Sequence, residues 1–152
     1  MAKLKTGDPA PAFEAVDQDG NMKTLADYRG RKLILYFYPK DNTPGCTAEA
    51  CSLRDGRDTL RRMGFEVVGV SPDSEKSHQG FIAKQGLNFT LLAGTDKKIA
   101  EAYGVWGEKK FMGRTFMGIL RTTFVIDEQG VIEKIFDKVR TKDHFEQIVE
   151  AY

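Results

Sequence analysis

Apolar runs alternate with longer amphipathic segments through the middle of the chain. The runs 32–38 and 65–71 are rich in aromatic and β-branched side chains and are bounded by turn residues, which is typical of buried strands. Segments 47–63 and 74–85 follow these runs, and each is followed by a glycine, which indicates helices. The pattern therefore predicts strands and helices in alternation.

The two ends of the chain carry antiparallel signals. Near the start, turn residues separate segments 10–15 and 22–25, and near the end they separate segments 121–127 and 131–137; both patterns predict β-hairpins. Residues 104–118 show no clear pattern and are expected to form a long connection. The remaining predicted elements are a helical turn at 27–30, a strand at 89–93, a helix at 97–103 and a closing helix at 143–152 capped by Thr141.

This order of elements predicts an α/β fold. Strands that alternate with helices pair in parallel through crossovers, whereas the final hairpin is antiparallel. We expect one domain over residues 1–152 with a mixed central sheet, helices on both faces and an N-terminal β-hairpin. The order resembles that of a thioredoxin-like fold.

Composition excludes some classes of partner. Hydrophobic residues make up 41% and charged residues 30% of the chain, and the formal net charge is +1. This balance gives no reason to expect nucleic acid or an anionic membrane as a partner. No apolar run is long enough to cross a bilayer, and residues 1–9 lack the apolar stretch of a signal peptide. We therefore expect a cytoplasmic protein.

Both cysteines lie where the strand 32–38 gives way to the following helix. Cysteines in a reducing compartment are seldom structural disulfides. Cys46 and Cys51 can therefore be inert core thiols, a metal pair, a nucleophile with a bystander, or a redox couple. The residues themselves leave these four interpretations open.

The surroundings of Cys46 favour a reactive thiol. A helix N-terminus has unpaired amide N–H groups and a positive dipole end, which stabilise a thiolate. Thr43 offers a hydroxyl to the thiolate or to a substrate oxygen, and Pro39 ends the strand without an N–H. Helical spacing also places Cys46 on the apolar face with Ala50 and Leu53, as expected for a buried structural thiol. The preceding Thr-Pro-Gly segment favours the reactive alternative.

The motif Pro39-x-x-x-Thr43-x-x-Cys46 resembles the active-site motif of peroxiredoxins, the thiol peroxidases. The longer run 36–51 resembles the bacterioferritin comigratory protein subgroup, also called PrxQ, in which a second cysteine follows five residues after the first. Segments 103–107 and 118–127 are also similar to the family. The resemblance extends over about residues 5–150.

The resemblance implies a role for each motif position. Cys46 would be the peroxidatic cysteine, Thr43 would hydrogen-bond the peroxide, Arg121 would hold the thiolate and polarise the peroxide, and Pro39 would shield the site from water. Cys51 would be the resolving cysteine, which forms a disulfide with Cys46 within one chain. Thioredoxin or a similar dithiol would reduce that disulfide, and no cofactor is implied. We expect a monomer, because both thiols lie on one helix.

Helix geometry adds a constraint on the two cysteines. Five helical residues separate two Cα atoms by about 8–9 Å and turn them about 140° apart around the axis, whereas a disulfide rarely spans more than about 7 Å between Cα atoms. Cys46 and Cys51 therefore cannot bond while one regular helix contains both. We expect oxidation to unwind this segment.

Four other classes compete with the peroxidase. A zinc site would need His78 and His144 beside the cysteines, and a cysteine hydrolase would need one of them as a base; both histidines are expected to be solvated. A thioredoxin-like disulfide oxidoreductase is the main alternative, although such enzymes use Cys-x-x-Cys. An interaction module would carry an unreactive thiol.

One further segment is a candidate for the substrate site. Residues 109–117 mix basic and apolar side chains and flank the similar segments named above. We expect Phe111, Phe116 and Met117 to line the peroxide pocket or to lie in the core.

Overall fold

The computed structural model describes residues 3–152, so the first two positions of the predicted domain lie outside the described residues. The strands within this range are β1 (Glu14–Val16), β2 (Met22–Thr24), β3 (Lys32–Phe37), β4 (Phe65–Ser71), β5 (Thr90–Ala93), β6 (Trp106–Phe111), β7 (Arg114–Ile119), β8 (Thr122–Ile126) and β9 (Ile132–Phe136). The central sheet has the strand order β5-β4-β3-β8-β9. Strands β1 and β2 form one further hairpin, and β6 and β7 form another.

The central sheet is mixed, as predicted. Strand β3 pairs in parallel with β4, and β4 pairs in parallel with β5, because helical crossovers connect them. Strand β8 runs antiparallel to β3 and pairs Leu35 with Phe124, and β9 returns antiparallel to β8. Within this sheet, residues 32–93 therefore supply the parallel strands, and residues 122–136 supply the antiparallel ones.

Helices cover both faces of this sheet. The helices are α1 (Pro44–Arg62), α2 (Glu75–Gln85), α3 (Lys98–Ala102) and α4 (His144–Glu150), and Leu25–Tyr28 form a 3-10 turn. Alternate residues of β3 point to opposite faces, so Leu35 joins one hydrophobic cluster with α3, and Tyr36 joins a second cluster with α1, α2 and α4. The predicted fold class, α/β with a thioredoxin-like mixed sheet and an N-terminal hairpin, is confirmed.

The start of α1 and the cap of α4 differ from the prediction. Helix α1 begins at Pro44, three residues earlier than expected, because the fixed φ of proline suits the first helical position. Helix α4 begins after Asp143, so the expectation that Thr141 caps it is wrong. Cys46 therefore lies inside the first turn of α1.

Residues 104–118 are not the long connection that we expected. Strands β6 and β7 form an antiparallel hairpin, which closes through Met112 at φ 52° and Gly113 at φ 77°. The side chains of Phe111, Phe116 and Met117 are exposed, so the expectation that they lie in the core is wrong, while the pocket alternative stays a prediction. Within residues 3–152 this hairpin pairs only with itself and leaves both strands largely open to water.

None of the helices within residues 3–152 is long and apolar enough to cross a membrane.

Candidate active site

Cys46 lies at the carboxyl end of β3, in the first turn of α1. Thr43 precedes the helix in an extended conformation, and Pro44 is its first residue, so Cys46 occupies the third position. Its amide N–H therefore has no carbonyl partner within the helix. The thiol is 1% exposed and is not in a disulfide. A negative charge on this sulfur is stabilised by the end of the helix dipole.

The guanidinium group of Arg121 lies next to the sulfur of Cys46. Arg121 lies between β7 and β8, and its Nη2 donates to Cys46 Sγ over 3.3 Å. Its Nη1 donates to Glu49 Oε1 over 2.6 Å. Strand β8 is next to β3 in the sheet, so the pairing of these two strands brings together residues 75 positions apart.

Thr43 and Pro39 lie in the loop that connects β3 to α1. The Thr43 hydroxyl donates to the carbonyl of Lys40 over 2.8 Å. Its proton is therefore not directed at the thiolate, which was one of the two partners predicted for this hydroxyl. The hydroxyl oxygen keeps lone pairs that can accept a hydrogen bond from a peroxide O–H. Pro39 is half-buried at the start of the same loop.

Glu49 belongs to this site, and the sequence analysis missed it. It lies one helical turn after Cys46, and its side chain is fully buried. Burial raises the pKa of Glu49 to about 7, although Arg121 opposes the rise. Among the described residues, Glu49 Oε2 has no hydrogen-bond partner. An acid three residues after Cys46 shares the apolar face of the helix, and that signal could have identified it.

His144 packs against the same carboxylate. Its Nε2 lies 3.7 Å from Glu49 Oε2 and 2.8 Å from Thr123 Oγ1, and its Nδ1 lies 2.9 Å from Gln147 Oε1. Burial lowers the pKa of His144 to about 4, so the ring is neutral at pH 7. In that state Nδ1 donates to the amide oxygen, and Nε2 accepts from the threonine hydroxyl.

The prediction that both histidines are solvated is wrong. His78 and His144 are fully buried, at 0% exposure. Their helices are largely polar in sequence, but each ring has hydrogen-bond partners on other elements of the fold. A polar helix sequence does not show such partners, because they come from distant parts of the chain.

Cys51 is half-buried on α1 and is also free. Its Sγ lies 3.7 Å from Gln85 Oε1 at the end of α2. One regular helix, Pro44–Arg62, contains both cysteines. Because such a helix holds them too far apart to bond, the described conformation is a dithiol form.

The arrangement does not support a zinc site at the cysteines. Within residues 3–152, the group of side chains close enough to share a metal ion is Asp41, Asp73 and His78, and it includes neither thiol. The cysteine hydrolase also lacks support, because the nitrogens of His144 contact Thr123 and Gln147. Glu49 separates that ring from the arginine bound to Cys46.

A buried thiol at a helix N-terminus, beside an arginine and on a thioredoxin-like sheet, defines a thiol-dependent oxidoreductase. Comparison with known proteins identifies its family. Residues 6–135 match the AhpC/TSA family. A putative peroxiredoxin bcp of Haemophilus influenzae is 50% identical over 150 residues, covering 99% of this chain and 97% of the relative. Peroxiredoxin Bcp of Escherichia coli is 47% identical over 149 residues, covering 98% and 96%.

Solved structures agree with this assignment. A cysteine-to-serine mutant of Xylella fastidiosa PrxQ superimposes with a TM-score of 0.92 at 33% identity, covering 99% of this chain and 96% of the other. Xanthomonas campestris bacterioferritin comigratory protein gives 0.88 at 33% identity, covering 97% and 96%. The chain belongs to the AhpC/TSA peroxiredoxins, in the Bcp or PrxQ group, and is a thiol peroxidase.

Proposed function

We propose that Cys46 is the peroxidatic cysteine of this enzyme. The observation that carries the proposal is the 3.3 Å contact between Arg121 Nη2 and Cys46 Sγ at the N-terminus of α1. Helix dipole and guanidinium both favour the thiolate, so no histidine base is needed. Peroxidase chemistry by direct thiolate attack suits this environment.

The first step consumes one peroxide. The Cys46 thiolate attacks one oxygen, the O–O bond breaks, and the leaving oxygen departs as water or an alcohol after it takes up a proton. Sulfur is oxidised to a sulfenic acid while the peroxide is reduced. Arg121 stabilises the charge that moves from sulfur to oxygen, and the Thr43 oxygen accepts from the peroxide O–H. Pro39 limits the access of water to the site.

In the second step Cys51 resolves the sulfenic acid. The Cys51 thiolate attacks Cys46 Sγ, the S–O bond breaks, and hydroxide leaves as water after protonation. This step requires the first turns of α1 to unwind, because the helix otherwise holds the two thiols apart. Unwinding also frees Cys51 from Gln85 and exposes the new disulfide.

A dithiol then regenerates the enzyme by thiol–disulfide exchange, and thioredoxin is the reductant that we propose. The substrates are hydrogen peroxide and organic hydroperoxides; the Xanthomonas relative is described by its alkyl peroxide reduction activity. No cofactor takes part. We propose a cytoplasmic monomer that acts without nucleic acid or membrane as a partner.

Stopped-flow fluorescence of Trp106, the single tryptophan, tests the scheme. Wild type should show a fast peroxide-dependent phase and then a slower phase of disulfide formation. Cys46→Ser should lose both phases, and Cys51→Ser should keep the first and accumulate sulfenic acid. Turnover with thioredoxin should require both cysteines. A fast phase that persists in Cys46→Ser would contradict the assignment, and insulin reduction without peroxide would favour the disulfide oxidoreductase.

A further inference from the structure

A buried carboxylate lies in the middle of the loop that connects β3 to α1. The side chain of Asp41 is 1% exposed. It accepts hydrogen bonds from the hydroxyls of Tyr38 over 2.6 Å and Ser77 over 2.8 Å, and contacts His78 Nδ1 at 2.8 Å. Burial would raise the pKa of Asp41, but the bonds from His78, Tyr38 and Ser77 outweigh it, and the pKa is lowered.

His78 links the side chain of Asp41 to the central sheet. The other ring nitrogen, Nε2, lies 3.0 Å from the carbonyl oxygen of Leu92 on β5. A carbonyl oxygen only accepts hydrogen bonds, so Nε2 donates to Leu92 while Nδ1 contacts Asp41. Asp41 is thereby attached to α2 and, through the ring, to β5.

Hydrogen bonds to a neighbouring segment also hold the backbone of this loop. The Asp41 amide donates to Asp73 Oδ2 over 2.8 Å, and the same oxygen accepts from Ser71 at the end of β4 over 2.7 Å. The next residue, Asn42, has a φ of 63°, which is a left-handed conformation that asparagine adopts more readily than most residues. Contacts on Asp41 therefore fix a tight turn directly before Thr43.

We propose that Asp41 is a positioning residue for the peroxidase reaction. It makes no contact with Cys46 or Arg121 among its hydrogen bonds, but it lies two residues from Thr43, whose oxygen receives the peroxide O–H. The buried network fixes that oxygen relative to α1. A displacement of about 1 Å at such a position can cost about 100-fold in rate.

Asp41→Asn tests the proposal, with Asp17→Asn as the matched control. Asp17 is also a buried aspartate, 4% exposed, and it accepts the amides of Asp19 and Asn21 in the β1–β2 turn. For each folded variant, two rates are measured: oxidation of Cys46 by hydrogen peroxide and alkylation of Cys46 by iodoacetamide. Alkylation needs the thiolate but not the peroxide-binding oxygen.

Asp41→Asn should oxidise about 10–100-fold more slowly than wild type, with alkylation within about twofold, and Asp17→Asn should match wild type in both. Ser77→Ala and Ser77→Thr apply the same test if Asp41→Asn does not fold. Loss of the hydroxyl should slow oxidation about 3–10-fold, and threonine should restore it.

Three outcomes would overturn the proposal: oxidation unchanged in a folded Asp41→Asn or Ser77→Ala, an equal fall in oxidation and alkylation, or no rescue by Ser77→Thr. This inference rests on the proposed role of Cys46, but the two fail differently. Failure of the proposed function would show as wild-type Cys46 that does not react with peroxide.

Discussion

At the scale of single residues, the site depends on one guanidinium group with two partners. Arg121 contacts Cys46 Sγ with one nitrogen and the Glu49 carboxylate with the other. A guanidinium is a rigid, planar fork, whereas an ammonium group is a single point charge on a flexible stem. The orientation of the cation at Cys46 therefore depends on both arms of the fork.

Arg121→Lys should lower the rate constant of Cys46 oxidation by about 100- to 1000-fold, because one preorganised donor at the developing charge is lost. The rate is read by stopped-flow fluorescence with hydrogen peroxide. Arg114→Lys is the control; Arg114 is exposed on the β6–β7 hairpin and its substitution should leave the rate unchanged. A rate for Arg121→Lys within threefold of wild type would show that a positive charge at this position is enough for Cys46 oxidation and that the guanidinium geometry is not needed.

Glu49 makes the stability of the enzyme depend on pH. Its pKa is about 7 in the folded protein because of burial, against an ordinary value near 4.5. Between these two values the unfolded chain binds fewer protons than the native one, so stability falls as pH rises. His144 acts in the opposite direction: its pKa of about 4 means that stability is lost as pH falls below about 6.5.

Comparison with Glu49→Gln separates these two effects. The free energy of unfolding of wild type, minus that of Glu49→Gln, should fall by about 3 kcal/mol between pH 4.5 and pH 7.5. His144 is present and buried in both proteins, so most of its contribution cancels. Urea unfolding of the reduced proteins, followed by circular dichroism, measures the difference. Parallel pH curves for the two proteins would exclude a titrating Glu49.

At the scale of elements, α1 is held against α4 at a close contact. A Cβ atom on Gly56 would overlap the ring of Phe145. The glycine thus lets α4 pack directly on the helix that carries both cysteines. A Cβ atom on Gly80 of α2 would meet nothing within 4 Å. Gly80 can therefore serve as the control for a substitution at Gly56.

Gly56→Ala should destabilise the protein by about 1–3 kcal/mol through overpacking, and Gly80→Ala should stabilise it by about 0.5–1 kcal/mol through better helix propensity. Denaturant unfolding of both variants measures the two effects. Equal shifts in the same direction would show that α4 yields to the new methyl group.

Element prediction succeeded where an apolar pattern was present. Strand β4 occupies the predicted range 65–71, and helix α2 begins one residue after the predicted start because Ser74 is its cap. The β6–β7 hairpin was missed because its residues are largely exposed on both faces. Such a hairpin has no polar–apolar alternation to detect, and its backbone pairing alone defines it.

At the scale of the whole molecule, oxidation works against the fold. The five-residue spacing allows the disulfide only if the first turns of α1 unwind, which would remove Cys46 and Ala50 from the second hydrophobic cluster and expose the buried Glu49. A disulfide that closes so short a loop stabilises by only about 2 kcal/mol. We expect the lost burial and the lost contact to Arg121 to exceed this gain.

The disulfide form should therefore melt roughly 5 °C below the dithiol form, and dithiothreitol should restore the original melting temperature. Hydrogen exchange should show lost protection at residues 44–51 and unchanged protection in β3 and β4. A disulfide form with a higher melting temperature, or with α1 still protected, would contradict the unwinding.

The sequence alone determined the strand–helix alternation, the placement of Cys46 at a helix N-terminus and the spacing that forbids a disulfide in that helix. These are local properties, fixed by side-chain periodicity and backbone geometry. Only the tertiary structure decided which distant groups surround the sulfur. The pairing of β8 with β3 brings Arg121 to Cys46, and packing of α4 and α2 buries His144 and His78. Burial depends on neighbours far along the chain, so residue type and local pattern could not reveal it.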